Sequence, residues 1–566
     1  MNGDPRKATA QRPYGEAWVP VSDIERMQTA SDASRWTGGV TLTFSQLNTL
    51  SHRLTAGLDN TEEEKSRFFP FIGDYGAAGV TAGQRNLGYR NYSSFTLDYL
   101  GQLQFTLPFA VGSDFTWGAQ ALKEQERFNL AVGNQFAAPG VSTVSSAAVT
   151  TGAEGFAEKV NAGFHLQNRF SFRDRLFVTG GLRIDGNSAF GENFGFKRYP
   201  KADVSWVISE NGDQRFLPKW VSSMKLRSAY GQAGKAPGAF DKFTTFTARS
   251  VFLGTPGVVP DNPGNADLRP ETTTELESGI EAGLFSDRFG FDATIYWNFT
   301  KDALVNQLNP PSGGFESARK VNLGRIDNHG WEASAHYLAI ATPRFDWTTT
   351  VKLDGNQNKL ITLGGVKLTG TQFREGYPVN GLWDRIATGF SIVNGKPVTS
   401  RSDTAVYLGA PFPKFNGSFG NTVRYRDFSF YALVTMERGA MFGNGDRAYR
   451  VRQGGSDEYL WYLDPNSSFK ADSVAQYWSI LNANDSRDNV RLREISLTYS
   501  VPERFPARFG LGRTQLTVSG QNVMWWDHCH CADPNQAWAG ADAFTVGGFL
   551  SQPSPRTYRV AVRTRF

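Results

Sequence analysis

Hydrophobic and polar residues alternate strictly at the C-terminal end of the chain. Over residues 558–566, Tyr558 and Val560 would share one face of a strand, and Arg559 and Arg563 would share the other. Arginines on the second face need water, which the lumen of a membrane barrel supplies. The pattern therefore predicts a strand with one lipid-facing side and one water-facing side.

The same period of two recurs along the chain. It is found at residues 225–230, 291–298, 331–337, 494–501 and 515–519. These segments approach the roughly 9–11 residues that a tilted strand needs to cross a bilayer. We count about 17 strands between Trp36 and Phe566. The pattern predicts an all-β fold, a transmembrane antiparallel β-barrel.

The connections between these strands alternate in length. Short turns are predicted at Arg173-Asp174, Ser286-Asp287, residues 341–343 and Arg426-Asp427. Long loops are predicted over residues 123–159, 232–271, 299–329, 355–412, 437–489 and 523–554. Short periplasmic turns at one end and long extracellular loops at the other are typical of bacterial outer-membrane barrels.

The direction of the strands bears on how the chain begins. The last strand must end on the periplasmic side, and alternating backwards makes the first strand, about residues 36–44, run the same way. Bacterial single-chain barrels normally have an even strand number, so we expect earlier strands to be missing. The first residues also lack the apolar stretch of a signal peptide. We expect residues 1–35 to be an N-terminal remnant and residues 36–566 to be barrel.

Composition agrees with a barrel and excludes other classes. The mean hydropathy is -0.39, which suits alternating lipid-facing and lumen-facing residues. No run of about 18 apolar residues exists that could form a spanning helix. The net charge is +5, but the basic residues are spread out, so nucleic acid is not an expected partner.

One cluster has the residue types of a metal site, namely His528, Cys529, His530 and Cys531. Imidazole and thiolate ligands suit zinc or copper. Neighbouring residues of an extended segment point to opposite sides, however, so the four side chains do not easily meet one ion. A Cys529–Cys531 disulfide or two free thiols fits better. We see no catalytic constellation, and we expect neither enzyme activity nor a cofactor.

Several sequence blocks follow one another in a fixed order. They are residues 183–191 (RIDGNSAFG), 262–272 (NPGNADLRPET), 322–332 (NLGRIDNHGWE), 490–502 (VRLREISLTYSVP) and 520–522 (GQN), followed by Asp533-Pro534. Together they resemble the SusC/RagA family of TonB-linked outer-membrane transporters, from about residue 36 to the end.

The resemblance implies active import through the bacterial outer membrane. Such transporters form a barrel of about 22 strands. An N-terminal plug closes the barrel, and a TonB box couples its opening to the TonB complex of the inner membrane. A SusD-like lipoprotein often covers the captured oligosaccharide or peptide. The barrel assembly machinery would insert the chain into the lipid, with the terminal Phe566 as its assembly signal. We find no plug, TonB box or signal peptide in the chain, so transport is expected of the parent protein.

Aromatic residues are frequent in the predicted long loops. They are Trp383, Tyr459, Trp461, Tyr462, Trp478, Trp525, Trp526 and Trp538. Exposed aromatic side chains on loops stack well on sugar rings or pack against a partner protein. Packing between the loops themselves is an equally good explanation.

Three hypotheses for the function remain. The first is a barrel for uptake of oligosaccharides or peptides, and the second is a non-transporting surface or docking barrel, or a non-functional fragment. The third, a soluble glycan-active β-enzyme, predicts paired carboxylates in a cleft. The barrel hypotheses instead predict an outward apolar belt about 25 Å tall.

Overall fold

A computed structural model describes residues 26–71, 82–192, 195–209, 217–250, 254–365, 373–393, 396–452, 484–536, 538–539, 546–549 and 553–565. Almost all regular structure in these ranges is β-strand. No helix in this part of the chain is both long enough and apolar enough to cross a membrane.

Seventeen strands form one sheet, as the alternation predicts. They are β1 (Gln28–Leu47), β2 (Leu50–Phe69), β3 (Gln84–Leu107), β4 (Val111–Phe136), β5 (Ala147–Phe172), β6 (Leu176–Asn187), β7 (Lys197–Ser209), β8 (Val221–Lys235), β11 (Glu271–Leu284), β12 (Phe289–Gln307), β13 (Arg319–Ala341), β14 (Phe345–Thr362), β19 (Phe415–Tyr425), β20 (Phe428–Arg438), β23 (Asn489–Val501), β24 (Thr514–Asp527) and β27 (Thr557–Thr564).

The sheet is an antiparallel meander. Each strand pairs with the next one along the chain, from β1–β2 to β24–β27. Within the described residues, no pairing joins β1 to β27, so each of these strands has one free edge. As predicted, β1 runs from the long-loop end to the short-turn end.

The predicted short turns are confirmed. Arg173 and Asp174 connect β5 to β6 with φ of 50° and 52°, and Ser286 and Asp287 connect β11 to β12 with φ of 58° and 60°. Consecutive residues with positive φ match the right-handed twist of the flanking strands, which lets a very short connection close a hairpin. This end of the sheet is therefore compact.

The other end carries the long connections, which contain structure of their own. Their strands are β9 (Phe246–Ser250), β10 (Pro256–Pro260), β15 (Leu382–Asp384), β16 (Ala387–Val393), β17 (Lys396–Arg401), β18 (Val406–Gly409), β21 (Met441–Asn444), β22 (Asn484–Ser486), β25 (Trp538–Ala539) and β26 (Val546–Gly548), and the one described α-helix is α1 (Gly445–Arg452). Short 3-10 turns lie at this end at Val144–Ser146, Pro311–Gly313 and Pro534–Gln536, and at the short-turn end at Pro108–Ala110 and Pro506–Phe509.

Some strands are longer than the sequence predicts. β4 and β5 have 26 residues each and occupy most of the predicted loop 123–159. At about 3.3 Å per residue, either strand is over 80 Å long, far more than a tilted crossing needs. β6 has only 12 residues. The first strand likewise begins at Gln28 rather than Trp36, so the predicted boundary after residue 35 falls inside β1.

The sheet separates apolar from polar side chains. One face exposes large hydrophobic residues along every part of the meander, among them Leu97, Leu166, Ile295, Phe419 and Val518. The buried core lies elsewhere, at the long-loop end, where Val305, Leu323, Leu360 and Val379 pack together. An apolar outer face without a conventional core inside is the arrangement predicted for a membrane barrel.

Candidate functional site

The face opposite the apolar belt carries charged side chains that pair across strands. Arg227 on β8 donates to Glu281 on β11 at 2.5 Å and to Asp292 and Thr294 on β12 at 2.6 Å each. Lys225 donates to the same Glu281 at 3.1 Å. Period-two alternation places these residues on one face, and the antiparallel register brings them level. The inner wall is therefore polar and internally neutralised.

Two recesses indent this inner wall. One, of about 470 Å³, is lined by Lys225, Glu281, Asp292, Ser334 and His336 among others. The second, of about 450 Å³, lies between β5 and β8, with Arg183, Asp185 and Tyr199 in its lining. Hydrogen-bonding groups of both charges suit a polar solute better than an apolar one.

A fully buried ion pair links the sheet to the last long loop. Arg491 on β23 donates to Asp533, and neither side chain is exposed to solvent. Asp533 also accepts from the backbone N–H groups of Asn535 at 2.9 Å and Ser554 at 3.1 Å. Burial by itself raises the pKa of Asp533, but these hydrogen bonds and the Arg491 charge outweigh it and hold the pKa below its usual value.

Trp525 lies between two guanidinium groups. Arg491 is 4.9 Å from its ring centroid and Arg556 is 5.1 Å from it. Trp525 therefore faces inward and fixes the buried pair, as cation–π contacts do. Its neighbour Trp526 is on the opposite face and is 55% exposed. The prediction of loop positions for these two tryptophans is wrong, because both belong to β24.

A second polar cluster centres on the buried Asp485 of β22. It accepts from Asn444 at 2.7 Å, and Arg447 of α1 lies 3.5 Å away. Nδ1 of His530 is 3.1 Å from the same carboxylate. Three segments distant in sequence are thus joined, and the loop after β24 is attached to the loop after β20.

Cys529 and Cys531 form a disulfide, one of the two alternatives predicted for them. Their sulfurs are therefore not thiolate ligands in this state. His528 and His530 are both exposed, and His530 contacts Asp485 through Nδ1. Among the described residues, no group of three or more His, Cys, Asp or Glu side chains has the arrangement of a metal site.

Trp383 packs inside the loop between β14 and β19. Its ring centroid is 4.7 Å from that of Tyr377 and 5.3 Å from that of Tyr407, and the Arg374 guanidinium lies 3.9 Å from it. Burial raises the pKa of Tyr407. These contacts use much of the indole surface in packing within the loop, which matches the second explanation given for the loop aromatics.

Other predicted residues have no described side chain. Tyr459, Trp461, Tyr462, Trp478 and Phe566 lie outside the described residues, and Trp538 belongs to β25 with its side chain outside them too. Their predicted roles in substrate or partner binding, and in assembly for Phe566, stay predictions.

Sequence reasoning missed Arg491, Asp533 and Asp485. In the sequence, Arg491 looks like any other inward arginine of an alternating strand, and Asp533-Pro534 contributes only to the family resemblance. No local signal marks either residue as buried, because the burial comes from a loop that folds back over the sheet.

Comparison with known proteins supports the barrel assignment. The family model described as TonB dependent receptor-like, beta-barrel matches residues 2–523. TonB-dependent receptor P26 of Formosa agariphila is 26% identical over 474 residues, which are 72% of this chain and 46% of that protein. TonB-dependent receptor SusC of Bacteroides thetaiotaomicron is 25% identical over 206 residues, 35% of this chain and 20% of that protein.

A solved structure has the same fold. The RagAB peptide transporter matches with a TM-score of 0.79 at 17% identity, covering 95% of this chain and 62% of the matched chain. The chain spans about half the length of the receptor P26. The resemblance to SusC and RagA is confirmed, and the family comprises receptors and transporters rather than enzymes. This chain belongs to the TonB-dependent receptor-like β-barrel family and is an outer-membrane protein.

Proposed function

We propose that the chain forms the barrel wall of an importer for oligosaccharides or peptides. The observation that carries the proposal is the inner wall, whose charged residues pair with one another and leave polar recesses of several hundred Å³. A wall of this kind lets a hydrated solute exchange water hydrogen bonds for protein ones without tight binding. The RagAB transporter, which has the same fold, is named as a peptide transporter, and this supports peptides over oligosaccharides as the solute.

In this proposal, the chain forms the wall of the transport pathway, and other components open and close that pathway. The TonB complex would act through a region preceding the barrel. A SusD-like lipoprotein would cover the long-loop end, which is where the described loops pack into an ordered layer. The loop tryptophans and tyrosines would contact the lipoprotein or the captured solute.

Uptake by cells tests the proposal. A strain lacking the complete gene would be compared with one complemented in trans, using labelled oligosaccharides and labelled peptides as separate substrates. We expect one substrate class to depend on the gene. Asp292→Asn on the inner wall should lower uptake several-fold, since it removes the negative charge that pairs with Arg227.

The matched control is Glu503→Gln, an exposed position on the connection between β23 and β24 at the short-turn end. It should leave uptake unchanged at equal surface abundance. Equal uptake of both substrate classes with and without the gene would reject import and leave a non-transporting docking barrel or a non-functional fragment.

A further inference from the structure

The outer face of β12, β13 and β14 changes from apolar to basic towards the long-loop end. Along β12 the outward residues are Ile295, Trp297, Phe299 and then Lys301. Ile295 is 48% exposed and Trp297 44% exposed, as expected for side chains that face lipid. The outer face of β12 therefore changes from aromatic at Phe299 to basic at the next outward residue, Lys301.

The strand register gathers three cations at this level. Lys301 of β12 lies directly opposite Arg325 of β13. One row below, Phe299 is opposite Asp327, and Asp327 is opposite Lys359 of β14. Because neighbouring strands are about 4.8 Å apart, the three cations lie on one small area of the outer surface. We call Lys301, Arg325 and Lys359 the basic patch.

The basic patch has excess positive charge. Arg325 donates to Asp327, with Nη2 at 2.8 Å from Oδ2, and its guanidinium carbon is 5.3 Å from the Phe299 ring centroid. Lys301 and Lys359 are exposed, and within the part of the chain that the structure describes neither forms an ion pair or hydrogen bond. Asp327 thus offsets one of the three charges. A second carboxylate at this level, Glu375, accepts from Thr362 opposite Arg325 at 3.1 Å, so the patch keeps an excess of positive charge.

The height of the basic patch matches a membrane surface. From Phe289, at the short-turn end of β12, to Lys301 the strand advances roughly 40 Å at about 3.3 Å per residue. A tilt of about 45° converts this to roughly 28 Å along the membrane normal, close to the belt of about 25 Å in such barrels. Trp297 and Trp331, both partly exposed, lie just below the patch, as interfacial aromatic residues do.

We propose that the basic patch binds the phosphate-bearing headgroup of an outer-leaflet lipid. Asp327 binds the Nε–Nη2 edge of the Arg325 guanidinium and Phe299 packs against it, which leaves Nη1 as the group directed to the interface, while the two lysines add unpaired ammonium groups. The aromatic residues below would contact the acyl chains of the same lipid. This site is independent of import, because it lies on the opposite face of the sheet from the inner wall.

Another outward lysine, Lys123, lies in similar apolar surroundings but is paired with an acid. Lys123 of β4 also lies on the outer face, level with the exposed Phe95 and Val160 of the neighbouring strands. There, however, Glu158 pairs with the lysine at 3.1 Å. Both sites have apolar neighbours on the outer face, but Lys123 is neutralised by Glu158, whereas the basic patch has excess positive charge. Lys123 is therefore the matched control.

The experiment uses the complete protein purified in a mild detergent and titrated with lipid A, with bound lipid counted by native mass spectrometry. We expect a saturable lipid A adduct in the wild type. Each Lys or Arg near an anionic headgroup contributes about fivefold, so the triple variant Lys301→Gln, Arg325→Gln, Lys359→Gln should weaken lipid A binding by on the order of a hundredfold. Lys123→Gln should leave it unchanged.

Heat-modified gel mobility would confirm that all variants are folded barrels. A folded triple variant that binds lipid A as well as the wild type would overturn the proposal. So would an equal loss in Lys123→Gln, which would indicate a diffuse charge effect. Displacement of lipid A by millimolar inorganic phosphate would reject a lipid site in favour of a free phosphate site, and we expect no displacement.

Discussion

At the scale of single residues, Arg491 and Asp533 show how much depends on charges that the solvent does not reach. Desolvating two ions is costly, and the cost is offset only while each keeps the other and its further hydrogen bonds. Asp533 meets this condition through two backbone N–H groups. The pair therefore fixes where the loop after β24 returns to the sheet, whatever its net contribution to stability.

Replacing Asp533 by Asn should release this loop, because it leaves the buried positive charge of Arg491 without a compensating negative charge. Removing one partner of a buried pair typically costs about 3–5 kcal/mol. Amide hydrogen exchange at Asn535 and Ser554 should become faster in the variant. Glu503→Gln serves as control, and unchanged exchange in Asp533→Asn would contradict the assigned role.

The same carboxyl predicts a pH dependence. Its folded-state pKa is lowered, so the stabilisation is present above the unfolded pKa, about 3.9, and is lost as the pH falls through the folded value. Exchange at these amides, corrected for its intrinsic pH dependence, should accelerate below about pH 4 in the wild type. The Asn variant, which has no carboxyl to protonate, should show no such transition.

The disulfide between Cys529 and Cys531 should matter little for global stability. A cross-link between residues so close in sequence closes a very small loop, and the chain-entropy relation gives it only about 1–2 kcal/mol. Reduction with a phosphine, or the double substitution Cys529→Ser and Cys531→Ser, should shift the heat-modification midpoint by a few degrees at most. A large loss of folded barrel would show that the disulfide does more than hold this loop.

At the scale of elements, the short turns are the most sequence-dependent parts of the sheet. Arg173 and Asp174 both adopt positive φ, which costs a β-branched residue more than it costs Asp or Gly. Asp174→Val should therefore destabilise the β5–β6 hairpin by about 1–2 kcal/mol, whereas Asp174→Gly should be tolerated. Refolding yield into detergent micelles would show the difference, and equal yields would count against the turn argument.

Strands were predictable where lipid lies on one side and water on the other. The segments 291–298, 331–337 and 494–501 alternate and are strands. The parts of β4 and β5 nearest the long-loop end fall in the predicted loop 123–159. Water lies on both of their faces, so a run such as Glu124-Gln125-Glu126-Arg127 has no alternation that would indicate a strand. The polar start of β1 was missed for the same reason.

The site was less predictable than the strands. Inward charges could be expected from the alternation, but which of them meet depends on register, as with Arg227, Glu281 and Asp292 from three strands. Trp525 and Trp526 fall inside the predicted loop 523–554, and two adjacent tryptophans hide the period of two of the strand that contains them. Register and loop return are long-range properties, and a local pattern does not contain them.

At the scale of the whole molecule, the free edges of β1 and β27 determine whether the chain is expected to associate with other chains. Trp36 on β1 is 60% exposed and Val562 on β27 is 68% exposed, and both strands keep one row of backbone groups unpaired within the described residues. Unpaired edges are templates for pairing with other chains. The expected barrel of about 22 strands would cover them with further strands.

Residues 1–566 expressed alone should accordingly associate rather than remain monomeric in detergent. Size-exclusion chromatography with light scattering would measure this. Charges on edge strands oppose such pairing, so Thr41→Lys together with Ala561→Lys should raise the monomer fraction. A monodisperse wild-type chain of one-barrel mass would mean that the edges find each other without further strands.

The extended hairpin of β4 and β5 also limits how such a protein can evolve. Inserting one residue in a paired strand turns every later side chain to the other face, so Arg127 and Phe156 would change places with the charged and small residues of the inner side. Lengths that survive selection should therefore differ by two residues in each strand at once. Relatives of this chain should therefore show insertions inside β4 and β5 in matched steps of two residues, so that the height of this hairpin changes in discrete increments, whereas the connection at residues 137–146 can vary by any number.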